Sequence, residues 1–294
     1  MKIPHEIVQK AVQSALEEDL DQGEDLTTEA VVPSDLQGSG RILARESGIL
    51  AGIDLLRATF RHLDPDVHFE DQIPEGGHFE AGDVLIRIQA KARALLTGER
   101  TALNFLQRLS AIATHTQEFV ASVRGTGAAI LETRKTTPGL RYLEKYAVRV
   151  GGGENHRFGL FDRVLLKENH FALSGNGLDP MGIEKTVALA LDRSRGSGPL
   201  TAEARSLDDA LAILKGGADI ILLDNFSIQE LSAAVIEIRQ QARSLGRDVL
   251  VEASGGIRLE NVAQIAGTGV DRISVGALTH SVRALDLSLL VEGI

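Results

Sequence analysis

Candidate chemistry in this sequence collects where short β-branched runs give way to polar residues. Runs at 128–131, 163–166, 200–204, 220–223, 249–251 and 272–275 lead, in order, to Thr133-Arg134-Lys135, Lys167, Glu203, Asp224, Ser254-Gly255-Gly256 and Val275-Gly276-Ala277. In a parallel βα architecture the reactive groups sit at the carboxyl ends of the strands. These positions would then share one mouth holding three cations, two carboxylates and two small-residue turns. A single such residue reads as a charge capping a strand end. Six in register read as a polyanion site.

The two turns sharpen that reading. Ser254-Gly255-Gly256 lies between a strand and a helix expected near Arg258, where unpaired backbone N–H groups attract anions. Val275-Gly276-Ala277 repeats the arrangement one strand later, and paired turns after the last strands are the usual phosphate site of a barrel. Between Glu132 and His170 the basic residues outnumber the acids, against a formal net charge of -10 for the chain. These basic residues are Arg134, Lys135, Arg141, Lys145, Arg149, Arg157, Arg163 and Lys167, a mixture of forks and point charges that suits a ligand carrying both carboxylates and phosphates. Arg141, Lys145 and Arg149, at helical spacing after Pro138, are assigned to a solvated face or dimer surface. Gly151-Gly152-Gly153 should end that helix and deliver Glu154, Asn155, His156 and Arg157 into a loop. Glu203 and Asp224 suit magnesium, which takes one or two carboxylates and is otherwise held by water and ligand phosphates. Balancing Lys135 and Lys167 is an equal alternative for this pair of acids.

The elements that must position these groups are legible in outline. An amphipathic helix is expected over 4–18, helices over 53–63 and 93–123, and strands near 41–45, 67–69 and 84–89. This first stretch predicts a small sheet with helices over 1–110. Residues 111–294 predict repeated βα units with too few strands for a closed eight-stranded barrel, so an incomplete barrel is expected, and a doubly wound sheet fits the same periodicity. Whether the final residues return to the first domain stays open. The length of 294 residues, with 43% hydrophobic and 24% charged, suits a globular protein with a large core. No run of about 18 apolar residues predicts a membrane span, and the first ten residues lack the pattern of a secretory signal. A cytoplasmic protein is expected. The absence of cysteine excludes disulfides and thiolate chemistry. Net acidity with 4% aromatic residues and no tryptophan argues against nucleic-acid binding.

The motifs together resemble the quinolinate phosphoribosyltransferase family, also called nicotinate-nucleotide pyrophosphorylases. The likeness is carried by Glu132-Thr133-Arg134-Lys135-Thr136-Thr137-Pro138-Gly139, Gly151 to Arg157, and Leu166-Lys167-Glu168-Asn169-His170. It continues in Gly98-Glu99-Arg100-Thr101, Leu222-Leu223-Asp224-Asn225-Phe226, Glu252-Ala253-Ser254-Gly255-Gly256 and Ser274-Val275-Gly276-Ala277. The resemblance implies an N-terminal α/β sandwich, an incomplete C-terminal parallel α/β barrel, and a homodimer or hexamer whose active site is completed by the partner. It implies a pentosyltransferase of NAD biosynthesis that joins quinolinate to phosphoribosyl diphosphate with Mg2+, releasing diphosphate and CO2 to give nicotinate mononucleotide. By the same resemblance, Arg134, His156, Arg157 and Lys167 would hold the quinolinate carboxylates, with Arg100 reaching in from the neighbouring subunit. Lys135 would contact the reacting substrates, alongside Thr133. The turns at 254–256 and 275–277 would cup the sugar phosphate, and Glu203 and Asp224 would position the ribose hydroxyls and magnesium. One departure is visible: where the family is expected to read Glu-x-Glu-x-acid, this chain has Thr201-Ala202-Glu203-Ala204-Arg205.

Other readings predict different chemistry. A related branch associated with molybdate transport shares the architecture, and nicotinate phosphoribosyltransferases use the same donor without decarboxylation. Four cations suit a dicarboxylate better than nicotinate. A Schiff-base aldolase would use Lys135 or Lys167 as nucleophile, and a dimeric binding protein would consume neither ligand.

Overall fold

The computed structural model describes residues 2–21, 23–194 and 196–293. The amino-terminal elements are α1 (His5–Leu20), α2 (Leu26–Val31), β1 (Gln37–Ala44), β2 (Gly48–Ile49), α3 (Ile53–Leu63), β3 (His68–Asp71), β4 (His78–Phe79), β5 (Val84–Lys91) and α4 (Ala92–Ser122). There follow β6 (Ala129–Leu131), α5 (Arg141–Val150), β7 (Leu165–Leu166), α6 (Glu168–Leu173), α7 (Pro180–Arg193), β8 (Thr201–Ala204) and α8 (Leu207–Gly216). The chain closes with β9 (Ile220–Asp224), α9 (Ile228–Ser244), β10 (Leu250–Ser254), α10 (Leu259–Ala266), β11 (Arg272–Ser274), α11 (Ala277–His280) and β12 (Leu287–Gly293).

These elements form two compact units, neither of them one stretch of chain. The first comprises Met1–Gln117, Thr136–Gly152 and Leu278–Ile294, the second Glu118–Lys135 and Gly153–Ala277. Helix α4 passes through residue 110 without a break.

In the first unit, β12, β1, β5 and β3 form an antiparallel sheet in that order. Alternation along β1 turns Gly38, Gly40, Ile42 and Ala44 inward. Ile42 pairs with Leu289 on one side and Ile86 on the other, and all three join Phe60 of α3 and Leu95, Leu103 and Leu106 of α4 in one core. The register slips by one residue after Ile42, leaving Leu85 as the extra residue of a bulge. The sequence predicts no strand over β12, but its pairing with β1 answers the question left open above: the end of the chain returns to this sheet.

Helix α5 buries every residue from Leu143 to Val148, Lys145 included. Lys145 therefore does not lie on a solvated face, because the helix is covered on more than one side. Glu144, also fully buried, accepts from Arg108 at 2.8 Å, from the Thr137 hydroxyl at 2.7 Å and from the Thr137 amide at 3.1 Å. Arg108 in turn donates to the carbonyls of Thr279 and Val282. Three separate stretches of the unit thus meet on one ion pair.

The second unit is a parallel sheet of order β6-β11-β10-β9-β8-β7, with a helix following each strand from β7 to β11. Its strands fall on the six expected runs. Strands β6 and β7, which a closed barrel would join, are the two edges, so the barrel is incomplete. Local signals set the helix starts: Asp179 caps α7 ahead of Pro180, Ser206 caps α8, and Ser227 with Glu230 forms a capping box on α9.

Removing the Glu144 carboxylate should leave Arg108 without its buried partner. Glu144→Ala is expected to lower unfolding free energy by about 3–5 kcal/mol, measured by denaturant and thermal unfolding.

Candidate active site

The pairing register places a polar stripe on one face of the parallel sheet. Glu203 stands opposite Leu222, Leu222 opposite Glu252, and Glu252 opposite Arg272. Two residues further along the strands, Asp224 stands opposite Ser254, and Ser254 opposite Ser274. Residues two apart share a face, so Glu203, Asp224, Glu252, Ser254, Arg272 and Ser274 line the same side. Parallel strands ordinarily read as continuous apolar runs, and this side breaks that rule at its carboxyl end.

Beyond β6 the chain turns through Thr133, whose hydroxyl accepts from the Lys135 amide at 3.1 Å, leaving Lys135 exposed. The open edge of β6 is covered by the loop that follows the glycines: Glu154 donates its amide to Ile130 and bridges Leu131. The fully buried Glu132 then accepts from the Asn155 side chain at 2.9 Å and from the His156 amide at 3.1 Å. Further on, Asp162 accepts the amides of Phe158 and Gly159 at 2.6 and 2.8 Å, and the Arg157 guanidinium donates to the Arg163 carbonyl at 3.3 Å. Carboxylates thus fix the loop on both sides of Arg157.

Arg157 is only 7% exposed, and its Nε makes no hydrogen bond among the described residues. Burial, and secondly the like charge of Arg134, pull its guanidinium below the usual arginine range; Asp162 acts in the opposite direction. A buried guanidinium with a like charge in its surroundings favours an anion beside it.

At the other edge, Lys167 lies 3.3 Å from Glu203. Arg205, which stands where an acid is expected, pairs with Glu168 of α6. Asp224 accepts from the Asn225 side chain at 2.7 Å. Among the described residues no cluster of three or more histidine or carboxylate groups could cage a metal. The two carboxylates present suit an ion that keeps water and ligand oxygens in most of its shell.

The turn after β10 is shaped by close backbone approach. Gly255 and Gly256 take φ of +91° and +61°, and a Cβ on Gly255 would meet the Asn225 Oδ1 at 2.2 Å. Val275 donates its amide to Leu131 at 2.8 Å, setting the second turn beside β6.

The second unit therefore holds Thr133, Arg134, Lys135, His156, Arg157, Lys167, Glu203, Asp224 and both small-residue turns. Arg100 is not among them. It sits on α4 in the first unit, its side chain 61% exposed, beside a cavity of about 660 Å³ that also exposes Arg108, Phe105 and Tyr142. His156 differs from the expectation that it holds a carboxylate: its Nδ1 accepts from the Arg157 amide at 2.7 Å and its Nε2 lies 3.2 Å from Glu252. Both ring nitrogens are in use. Glu132, Glu252, Arg272 and Asp162 escaped the sequence reading as site residues. The available signal was an acid inside an otherwise apolar strand run, which needs a buried partner.

Comparison with known proteins agrees with this layout. Residues 25–110 match the profile of the quinolinate phosphoribosyl transferase N-terminal domain, and residues 112–290 that of its C-terminal domain. The chain belongs to this family. Among curated relatives of the quinolinate phosphoribosyl transferase family, the nicotinate-nucleotide pyrophosphorylase [carboxylating] of Mycobacterium leprae (strain TN) is 44% identical over 280 residues, covering 95% of each chain. Quinolinate phosphoribosyltransferase [decarboxylating] 1b of Nicotiana tabacum is 38% identical, covering 96% of this chain and 81% of the relative. The solved structure of NadC from Streptococcus pyogenes superposes with a TM-score of 0.91 at 35% identity, covering 100% of this chain and 99% of that one.

Adding a methyl group at the first glycine of the β10 turn should force Asn225 to move. Gly255→Ala is expected to destabilise by about 2–3 kcal/mol and Gly256→Ala, in open space, by about 1 kcal/mol, compared by thermal unfolding.

Proposed function

We propose that this protein transfers the phosphoribosyl group of phosphoribosyl diphosphate to quinolinate with decarboxylation, giving nicotinate mononucleotide, diphosphate and CO2 for NAD biosynthesis. The observation that carries the reading is the Arg134–Arg157 pair, two neighbouring guanidinium groups with a buried, unbonded Nε on Arg157. Quinolinate brings two adjacent carboxylates, which match such a pair through bidentate contacts. Family membership and the 44% and 38% identical relatives support the same acceptor.

In this reading Lys167 adds a further cation at the acceptor, and Lys135 reaches both substrates. The turns at 254–256 and 275–277 receive the sugar phosphate on backbone amides. The bond from the anomeric carbon to diphosphate oxygen breaks, and the pyridine nitrogen forms the new bond to that carbon. Glu203 and Asp224 face the developing positive charge on the ribose and stabilise it. The ring nitrogen, now cationic, then stabilises the electron pair left on the ring carbon as CO2 departs, and that carbon takes up a proton. Holding the nitrogen near the anomeric carbon supplies the proximity.

Glu203 and Asp224 would also hold Mg2+, an assignment the two-carboxylate donor set suits. When bound, magnesium supplies charge neutralisation for the departing diphosphate. Arg100, exposed on the first unit, is assigned to the acceptor site of a second copy, which makes the enzyme a homodimer or a higher assembly of dimers. We place it in the cytoplasm, where a phosphorylated donor is retained.

An end-point assay with magnesium, phosphoribosyl diphosphate and carboxyl-labelled quinolinate tests the proposal, with nicotinate in parallel. Equal amounts of labelled CO2 and nicotinate mononucleotide from quinolinate are expected. Product from nicotinate alone would move the acceptor, and product from neither would overturn the assignment. Arg157→Lys, which loses the planar fork, is expected to raise the KM for quinolinate about 10- to 100-fold, corresponding to one charge-assisted contact.

A further inference from the structure

The buried face of the sheet carries a chain of contacts that ends at the acceptor site. Glu252, fully buried in β10, meets three partners at once: the Ser274 hydroxyl, Arg272 Nε at 3.1 Å and His156 Nε2 at 3.2 Å. His156 Nδ1 accepts the Arg157 amide at 2.7 Å. A ring nitrogen that accepts carries no proton, so the ring proton of His156 sits on Nε2 and is donated to Glu252. Seen from Arg157, the imidazole is a spacer with one nitrogen on the arginine backbone and the other on a fully buried carboxylate.

We propose that Glu252 is a positioning residue for the quinolinate site, acting through a neutral His156 to aim Arg157, and that His156 itself does not hold the substrate carboxylate. This rests on the acceptor reading above. Glu252 suits the role because its charge is firmly held. Burial opposes ionisation, while the hydrogen bonds from His156 and Ser274 and the charge of Arg272 favour it. On β11, Ser274 donates to one oxygen of the carboxylate and Arg272 Nε lies 3.1 Å from the other as an ion pair. The Glu132 carboxylate meanwhile pins the His156 amide, so ring and backbone are fixed independently. The arrangement parallels metal sites, where a carboxylate behind a histidine fixes its tautomer and orientation.

The test uses full-length Glu252→Ala, Glu252→Gln, His156→Ala and the Glu252→Ala/His156→Ala double variant. Glu252→Ala should raise the KM for quinolinate by about tenfold or more, as for loss of a charged hydrogen bond, leaving kcat and the KM for phosphoribosyl diphosphate nearly unchanged. Glu252→Gln, which keeps an acceptor for the Nε2 proton, should recover part of that loss. In the double variant, the two losses should overlap to within about twofold of the larger single effect. Nitrogen-15 NMR of the unliganded wild type should show His156 as the Nε2–H tautomer, a form lost in Glu252→Ala.

Multiplying effects in the double variant would mean that His156 contacts substrate by its own route and would overturn the proposal. So would an imidazolium or Nδ1–H form in the wild type, or a fall in kcat with both KM values raised together. If Glu252→Ala does not fold, Glu252→Gln and the tautomer still decide the matter. A wild-type enzyme inert toward quinolinate would overturn the acceptor assignment instead, a result separable from the tautomer read without substrate.

Discussion

The buried Arg157 guanidinium carries a like charge, Arg134, in its surroundings, and the loop that bears it is held by carboxylates on both sides. Burial and like charge both disfavour the Arg157 guanidinium, and Asp162 favours it. Glu132 pins the amide of the preceding residue, Asp162 ties the turn that follows, and the Arg163 carbonyl takes one guanidinium N–H. In the proposed reading a dianionic ligand would relieve this repulsion. This is electrostatic preorganisation, in which the binding groups are oriented before the ligand arrives.

The same requirement accounts for the polar side of the sheet. A carboxylate such as Glu252 inside a parallel sheet is costly unless paired, and here Arg272, Ser274 and His156 meet it from β11 and from the loop. The incomplete barrel follows as well. The loop bearing His156 and Arg157 lies along the open edge of β6, where a closing strand would otherwise pair. The open edge and the loop that carries Arg157 are two aspects of one feature.

Much of this was legible in the sequence because it depends on local order. The six strand runs and the residues at their ends fix which side chains share a mouth, and glycine beside serine marks a turn that backbone must approach closely. The family motifs named the acceptor. What escaped depends on long-range pairing. The sequence leaves the return of the final residues an open question, because their pairing as β12 with β1 across more than two hundred residues has no local signature. Lys145 has the spacing of a solvated lysine, yet α5 is covered around it. Glu132 and Glu252 looked like ordinary motif residues because their partners come from other segments. His156, a cation by resemblance, has both nitrogens committed within its own neighbourhood.

The central claim is that a preformed arginine pair selects a dicarboxylate, and ligand-dependent thermal stability tests it most directly. A ligand that binds only the folded state raises stability in proportion to the logarithm of its concentration over Kd. Quinolinate added without the phosphoribosyl donor is predicted to raise Tm progressively, and nicotinate at equal concentration to raise it much less. Equal shifts from the two compounds, or none from quinolinate, would contradict the account.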